Sequence, residues 1–355
     1  MDNVNSREHL AWLDALRFIA AFLVLFCHSR NDFFLKYNYL PVDQQGIGAF
    51  VFYTLGRLGP EAVIVFFVLS GFLVGGKGLE RIINGSFKLR GYVVDRFCRI
   101  MIPLCTAVIL YIIVAPIVGK EYSFFTVVGN LLSLQGIVCE PLISPFWSLS
   151  YEVWFYIMLF ALALTTRRKK IGLVLFFICC LVYTRMNALY LLMWLMGALA
   201  WICRPRGGGK YYLWGSLVMI VCSLGMSVVT SGSKAFSFDL PFDNMQAKLI
   251  LSISVCIFCQ QLILFPPKST RGYKIEIFFS TLADFSYSLY LIHRILLLIV
   301  FSFFFGKEKA DLSTKCLLEY IAIVMSIMLV TYVIYYVTER RTNEVKRWIK
   351  IKLGI

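Results

Sequence analysis

The sequence predicts an all-α fold: a polytopic membrane helical bundle of about ten transmembrane helices, with both termini cytoplasmic. Three observations carry this. The chain has 355 residues, 59% of them hydrophobic, and a mean hydropathy of +0.77. A water-soluble domain of that length cannot hide so much apolar surface, because much of any folded surface must face water. The apolar residues also come in blocks of about 20, the length that crosses a hydrocarbon core of about 30 Å. Finally, Lys and Arg gather between alternate blocks, the pattern of cytoplasmic loops.

The blocks predict helices over residues 10–28, 58–76, 100–118, 146–164, 171–185, 188–203, 211–230, 247–265, 282–305 and 316–337. The first has no small-residue cleavage site after it, so it is expected to be retained and not removed as a signal peptide. The basic clusters test the map. Arg96 and Arg99 precede the third helix, Arg167 to Lys170 follow the fourth, and Arg204, Arg206 and Lys210 follow the sixth. Lys268, Arg271 and Lys274 follow the eighth, and Arg340, Arg341, Lys346, Arg347, Lys350 and Lys352 the tenth. With ten spans, all fall on the side of the amino terminus. The apolar stretch Val127–Leu134 is too short to span and is expected to be re-entrant or interfacial. Residues 1–340 then form one membrane domain and 341–355 a basic cytoplasmic tail. The sequence has no soluble domain, long linker or internal repeat.

The net charge of +15 would suggest nucleic acid in a soluble protein. Here the cations are topology signals, and a nucleic-acid partner is not expected. Cys256 and Cys259 form a CxxC inside a predicted helix. Zinc wants four ligands, and the chain has three histidines, so no metal is expected and these cysteines are read as packing residues.

Charge at membrane depth marks the candidate site. Arg17 and His28 are eleven residues apart, three turns plus roughly 20°, and so project from one face about 16 Å apart. A charged group in the bilayer costs about 2.5–3.5 kcal/mol on insertion scales, so it normally faces a cavity or a partner. The plainer alternative has Arg17 snorkelling to the inner surface with Asp14 as partner, and His28 simply ending the helix. Ser70-Gly71 closes an apolar run in the second helix and on its own reads as a close-packing pair. Arg96 and Arg99, one turn apart, can meet one anionic group, or anchor the helix at the inner surface. Trp147 and Trp154 fit an aromatic belt, but Glu152 among them needs solvent, a partner or a proton. Tyr287 and His293 lie on the ninth helix, where a lone histidine often makes a helix–helix hydrogen bond.

Taken in order, these segments resemble the acyltransferase-3 family of bacterial membrane acyltransferases over nearly the whole chain. Arg17 and His28 match the family's Arg-x10-His, and Phe66 to Gly71 its FFxLSG. Arg96, Arg99 and Pro103 match its RxxR-x3-P, with Asp95 where many members have another arginine. Trp147 to Glu152 match WSLSxE, and Ser286 to His293 match SYSLYLxH. The resemblance implies transfer of an acyl group, usually acetyl, from acyl-CoA to a hydroxyl of an exported or surface carbohydrate such as O-antigen, capsule or exopolysaccharide, at the bacterial inner membrane. Some relatives carry a further soluble domain; none follows here, so transfer is expected to finish within the membrane domain.

The expected chemistry gives His28 either the role of general base toward the acceptor hydroxyl or that of acyl carrier. Glu152 would orient it. Arg17 would meet the thioester oxygen or the pantetheine amides of acetyl-CoA. Arg96 and Arg99 would hold the CoA phosphates, with Ser70 also on the donor side. The expected partners are acyl-CoA, a carbohydrate or lipid-linked glycan, and membrane lipid. A secondary transporter of a lipid-linked glycan or organic acid is the alternative from another class, since ten spans with buried charge fit it too. Against it, the chain shows no paired repeats or matched broken helices.

Overall fold

In a bilayer every backbone N–H and C=O needs an internal partner, so isolated apolar blocks must become helices. The computed structural model of the chain bears out an all-α protein. It describes residues 2–205, 207–230, 243–265, 273–305 and 309–355. In chain order the helices are α1 (Asp2–Phe33), α2 (Ile47–Leu55), α3 (Gly59–Ser70), α4 (Lys77–Ile83), α5 (Leu89–Ile117), α6 (Phe124–Leu131), α7 (Phe146–Thr165) and α8 (Lys169–Arg185). They continue with α9 (Ala188–Ile202), α10 (Lys210–Thr230), α11 (Asn244–Leu264), α12 (Tyr273–Asp284), α13 (Ser286–Val300), α14 (Thr314–Val337) and α15 (Thr342–Lys352).

Among the described residues, eight helical stretches are long and apolar enough to cross a membrane. The predicted fifth and sixth spans are α8 and α9, shorter at 17 and 15 residues. α6, in the stretch predicted to be interfacial, has 8 residues, about 12 Å of helix, too short to cross. Arg206, Lys268 and Arg271 lie outside the described residues.

Several predicted boundaries move. α5 starts at Leu89, so Arg96 and Arg99 lie inside the helix that they were expected to precede. α1 continues to Phe33, so His28 sits inside the helix and does not end it. The polar run after His28 keeps helical geometry because its side chains are satisfied locally: Ser29 donates to Leu25 O at 2.8 Å, and Arg30 to Gly56 O at 3.0 Å. The ninth predicted span starts at Ser286, because the chain breaks helix at Phe285 (φ −97°, ψ 3°) between α12 and α13. The basic tail contains a helix, α15, packed on α5.

The chain divides into two compact units, each made of three segments. The first comprises residues 1–20, 60–87 and 154–284. Its defining contact is between the π-helical turn Gly71–Gly76 and α9. A Cβ on Gly71 would fall 2.0 Å from Trp194 O, and one on Gly197 2.3 Å from Val68 O, so the two backbones touch where only glycine fits. Trp194 Nε1 donates to Ser70 Oγ at 3.2 Å, and Ser70 shares a 3.2 Å hydrogen bond with Tyr156 OH. Leu13, Phe72, Met193, Leu251 and Cys259 form the core beside this contact. Cys256 and Cys259 are both buried on α11, as their packing reading expects.

The second unit comprises residues 21–59, 88–153 and 285–355, and α13 packs on both α5 and α14 within it. The loop that leads into α7 is organised by Asn130, which is fully buried. Its Nδ2 donates to Thr126 O (2.8 Å) and Glu140 O (2.9 Å), and its Oδ1 accepts from Leu142 N at 3.0 Å. Gln135 Nε2 then donates to Phe146 O at 2.8 Å, fastening the loop to the start of α7. Asn130→Ala would leave buried backbone groups without partners, each costing about 1–3 kcal/mol. A clear fall in detergent Tm is expected, and an unchanged Tm would show that this knot does not order the loop.

Candidate active site

The second unit builds the site from the end of α1 inward. Ser29 Oγ meets Tyr320 OH of α14 at 2.9 Å, and the Arg30 guanidinium lies 5.0 Å from the Tyr53 ring centroid. These contacts set the rotation of α1. His28 and Asp32, four residues apart and so on one face, are thereby turned toward α13. The His28 and His293 rings lie 5.4 Å apart, centroid to centroid, with a 32° tilt. Arg294, next in the chain, forms an ion pair with Asp32. Both members of that pair are about three-quarters buried, and both charges act on His28. His28 thus sits beside two charges that offset each other's cost of burial by pairing.

His293 is fully buried. Its Nδ1 lies 2.9 Å from Leu289 O on its own helix. A carbonyl only accepts, so Nδ1 carries the proton and Nε2 presents its lone pair. That Nε2 is buried with no hydrogen-bond partner among the described residues. Tyr290 lies beside it, ring centroids 6.2 Å apart. The Tyr290 hydroxyl shares a 2.6 Å hydrogen bond with Ser148 Oγ at the start of α7, and the Glu152 carboxylate is within electrostatic range of it. The Trp147 ring packs edge-on against Tyr151 at 5.8 Å.

Toward the other end of α13, the Arg99 guanidinium lies 5.7 Å from the Tyr287 ring centroid. Tyr287 precedes His293 by six residues, about 9 Å of helix. Ser288 donates to the buried carboxylate of Glu339 at 2.6 Å. Arg96 is half-buried and Arg99 exposed, one turn apart on α5. The second unit therefore brings His28, His293, Tyr287 and Arg99 to α13, and Glu152 to its Tyr290.

The remaining predicted residues belong to the first unit. Arg17 bonds Asp14 at 2.8 Å, the partner that the snorkelling alternative named. α1 is continuous from Arg17 to His28, so the rise of about 16 Å between them stands. Ser70 is engaged by Trp194 and Tyr156, the arrangement of a packing hydroxyl.

Sequence reasoning missed Asp32 and Arg294. Asp32 is the acidic residue four after His28, beyond the predicted end of that helix. Arg294 adjoins His293 but belongs to none of the matched motifs. The Ser148–Tyr290 bond joins residues 142 apart, and no local pattern pairs them.

A family model described as an acyltransferase domain matches residues 10–336. The chain belongs to the acyltransferase-3 family. The family is one of acyltransferases. Among curated proteins it is similar to Acyltransferase MdmB of Streptomyces mycarofaciens, 31% identical over 151 residues. That match covers 41% of this chain and 37% of the relative's length. No solved structure matches. The family match runs from the helix that carries Arg17 and His28 through α13 to nearly the end of α14.

Proposed function

We propose that this acyltransferase moves an acyl group, acetyl in the simplest case, from acyl-CoA to a hydroxyl of an exported or surface carbohydrate at a bacterial inner membrane, with His28 and His293 as the working pair. The observation that carries the reading is the 2.9 Å contact between His293 Nδ1 and Leu289 O. With Nδ1–H committed to Leu289 O, its Nε2 is an acceptor beside the His28 ring. A His28 N–H given to that acceptor leaves the other His28 nitrogen with a lone pair for the substrate, so the second histidine orients the first.

In this scheme His28 takes the acceptor's hydroxyl proton as its oxygen attacks the thioester carbonyl. The C–S bond breaks, and the proton passes to the departing CoA thiolate, so His28 ends neutral. Asp32, its charge shared with Arg294, supports the transient imidazolium. Arg96 and Arg99 take the CoA phosphates. The pantetheine arm then follows α13 from Tyr287 toward His293, and Arg17, three turns of α1 away from His28, is left to the arm's amides. Glu152 acts from α7, with Ser148 and Tyr290 as its setting.

Sidedness follows from the same residues. Lys346 and Lys350 lie 3.8 and 2.9 Å from Asp95, so the basic segment after α14 and the basic start of α5 share one side, which the positive-inside rule makes cytoplasmic. Donor entry from that side agrees with CoA being an intracellular metabolite.

The direct experiment supplies labelled acetyl-CoA to membranes containing the protein, with surface polysaccharide analysed by mass spectrometry in parent and deletion strains. Label on carbohydrate hydroxyls supports the reading. Label retained on lipid or protein alone would sink the carbohydrate acceptor. Arg96→Ala and Arg99→Ala are expected to raise the KM for acyl-CoA several-fold more than that for the acceptor. An equal rise for both would assign the arginines to topology.

A further inference from the structure

We propose that α15 is an interfacial helix that seats on anionic phospholipid, with Val345, Trp348 and Ile351 at the acyl-chain boundary and Arg347 and Lys352 among the headgroups. The proposal stands apart from the catalytic assignment.

The helix is turned the opposite way from a surface helix of a soluble protein. Lys346 and Lys350, four residues apart on one face, point inward and meet Asp95 of α5. The apolar side chains point outward: Val345 is 39% exposed, Trp348 56% and Ile351 73%. These three recur every third residue and lie within about 120° of one another around the axis. Charge facing protein and apolar surface facing out is favourable where the outside is lipid.

The neighbouring elements say what lies outside. α14, one of the apolar spans, exposes Leu318, Met325, Leu329, Val333 and Val337. The chain leaves it through the short turn Glu339–Arg341, and Ser288 holds Glu339 against α13. α15 therefore starts at the edge of a surface that acyl chains already cover.

The charge selects the headgroup. Arg347 and Lys352 make no ion pair among the described residues, and the Lys352 ammonium lies 4.3 Å from the Trp348 ring centroid. Glu344 is the helix's single acidic residue and sits in its first turn, where the helix dipole offsets it. Arg347 borders the apolar stripe and Lys352 lies over Trp348 at the stripe's end, cations that match the anionic lipid of a cytoplasmic leaflet. Free phosphate would satisfy the cations but leave the stripe in water.

The test uses the whole protein in nanodiscs whose lipids carry bromine on the acyl chain, a short-range quencher of indole fluorescence. The signal of Trp348 is obtained as the difference between the protein and its Trp348→Phe variant, a change small enough to keep the fold. In discs containing phosphatidylglycerol, a quenched and blue-shifted Trp348 component is expected. Quenching should fall several-fold in pure phosphatidylcholine discs, and in a variant with Arg347→Gln and Lys352→Gln. Inorganic phosphate added to phosphatidylcholine discs should not restore it. An unquenched, water-exposed Trp348 in the phosphatidylglycerol discs overturns the seating. Equal quenching in both lipids, or recovery with inorganic phosphate, overturns recognition of an anionic lipid.

Discussion

Acyl transfer by a His28→Ala variant is expected to fall by roughly 10³-fold, within the range that general acid–base groups contribute, while the protein inserts and accumulates normally. His28 is half-buried, and its ring contact is with His293, so its removal leaves the surrounding anchors of Ser29 and Arg30 in place. His293 sharpens the test. His293→Leu removes the Nε2 proposed to accept the His28 N–H and should lower kcat with the donor KM unchanged. His293→Gln can offer an amide oxygen in its place and should recover part of the rate. A merely structural role would show no such recovery and no split between kcat and KM. A well-inserted His28→Ala variant with the parent's rate would remove the imidazole from the chemistry.

Gly71→Ala is expected to damage folding at the upper end of overpacking effects, about 3 kcal/mol, with loss of folded yield and a large drop in Tm. The added methyl would lie 2.0 Å from a backbone carbonyl, Trp194 O, and backbone cannot swing aside as a side-chain tip can. Gly215 on α10 is the control, because a Cβ there meets nothing within 4 Å. Gly215→Ala should be neutral or slightly stabilising, since alanine restricts the unfolded chain and favours helix. Equal behaviour of the two variants would show that α9 does not approach Gly71 so closely.

How much was legible before folding depended on whether the signal was local. Ser70-Gly71 announced a close packing, because a small pair inside an apolar helix has few other uses, but its partners Trp194 and Gly197 carry no mark that names them. The stretch 127–134 stands apart in the sequence on length alone, because it is too short to cross a bilayer. The Asn130 knot was invisible, since one asparagine in a loop says nothing about the two carbonyls and one amide it will meet.

The amino-acid order alone settled the all-α membrane architecture, the ten apolar blocks and the family, because each rests on a property of contiguous residues: block length against bilayer thickness, the period of a helix, and motifs written in sequence. It also singled out His28 and His293, but as separate residues on separate helices. That they face each other, that Asp32 pairs with Arg294, that Tyr290 meets Ser148, and that α15 turns its lysines inward to Asp95 were decided by tertiary packing. Helix rotation and docking bring such residues together across hundreds of positions, and those depend on the summed contacts of whole helix faces, which no single stretch of sequence contains.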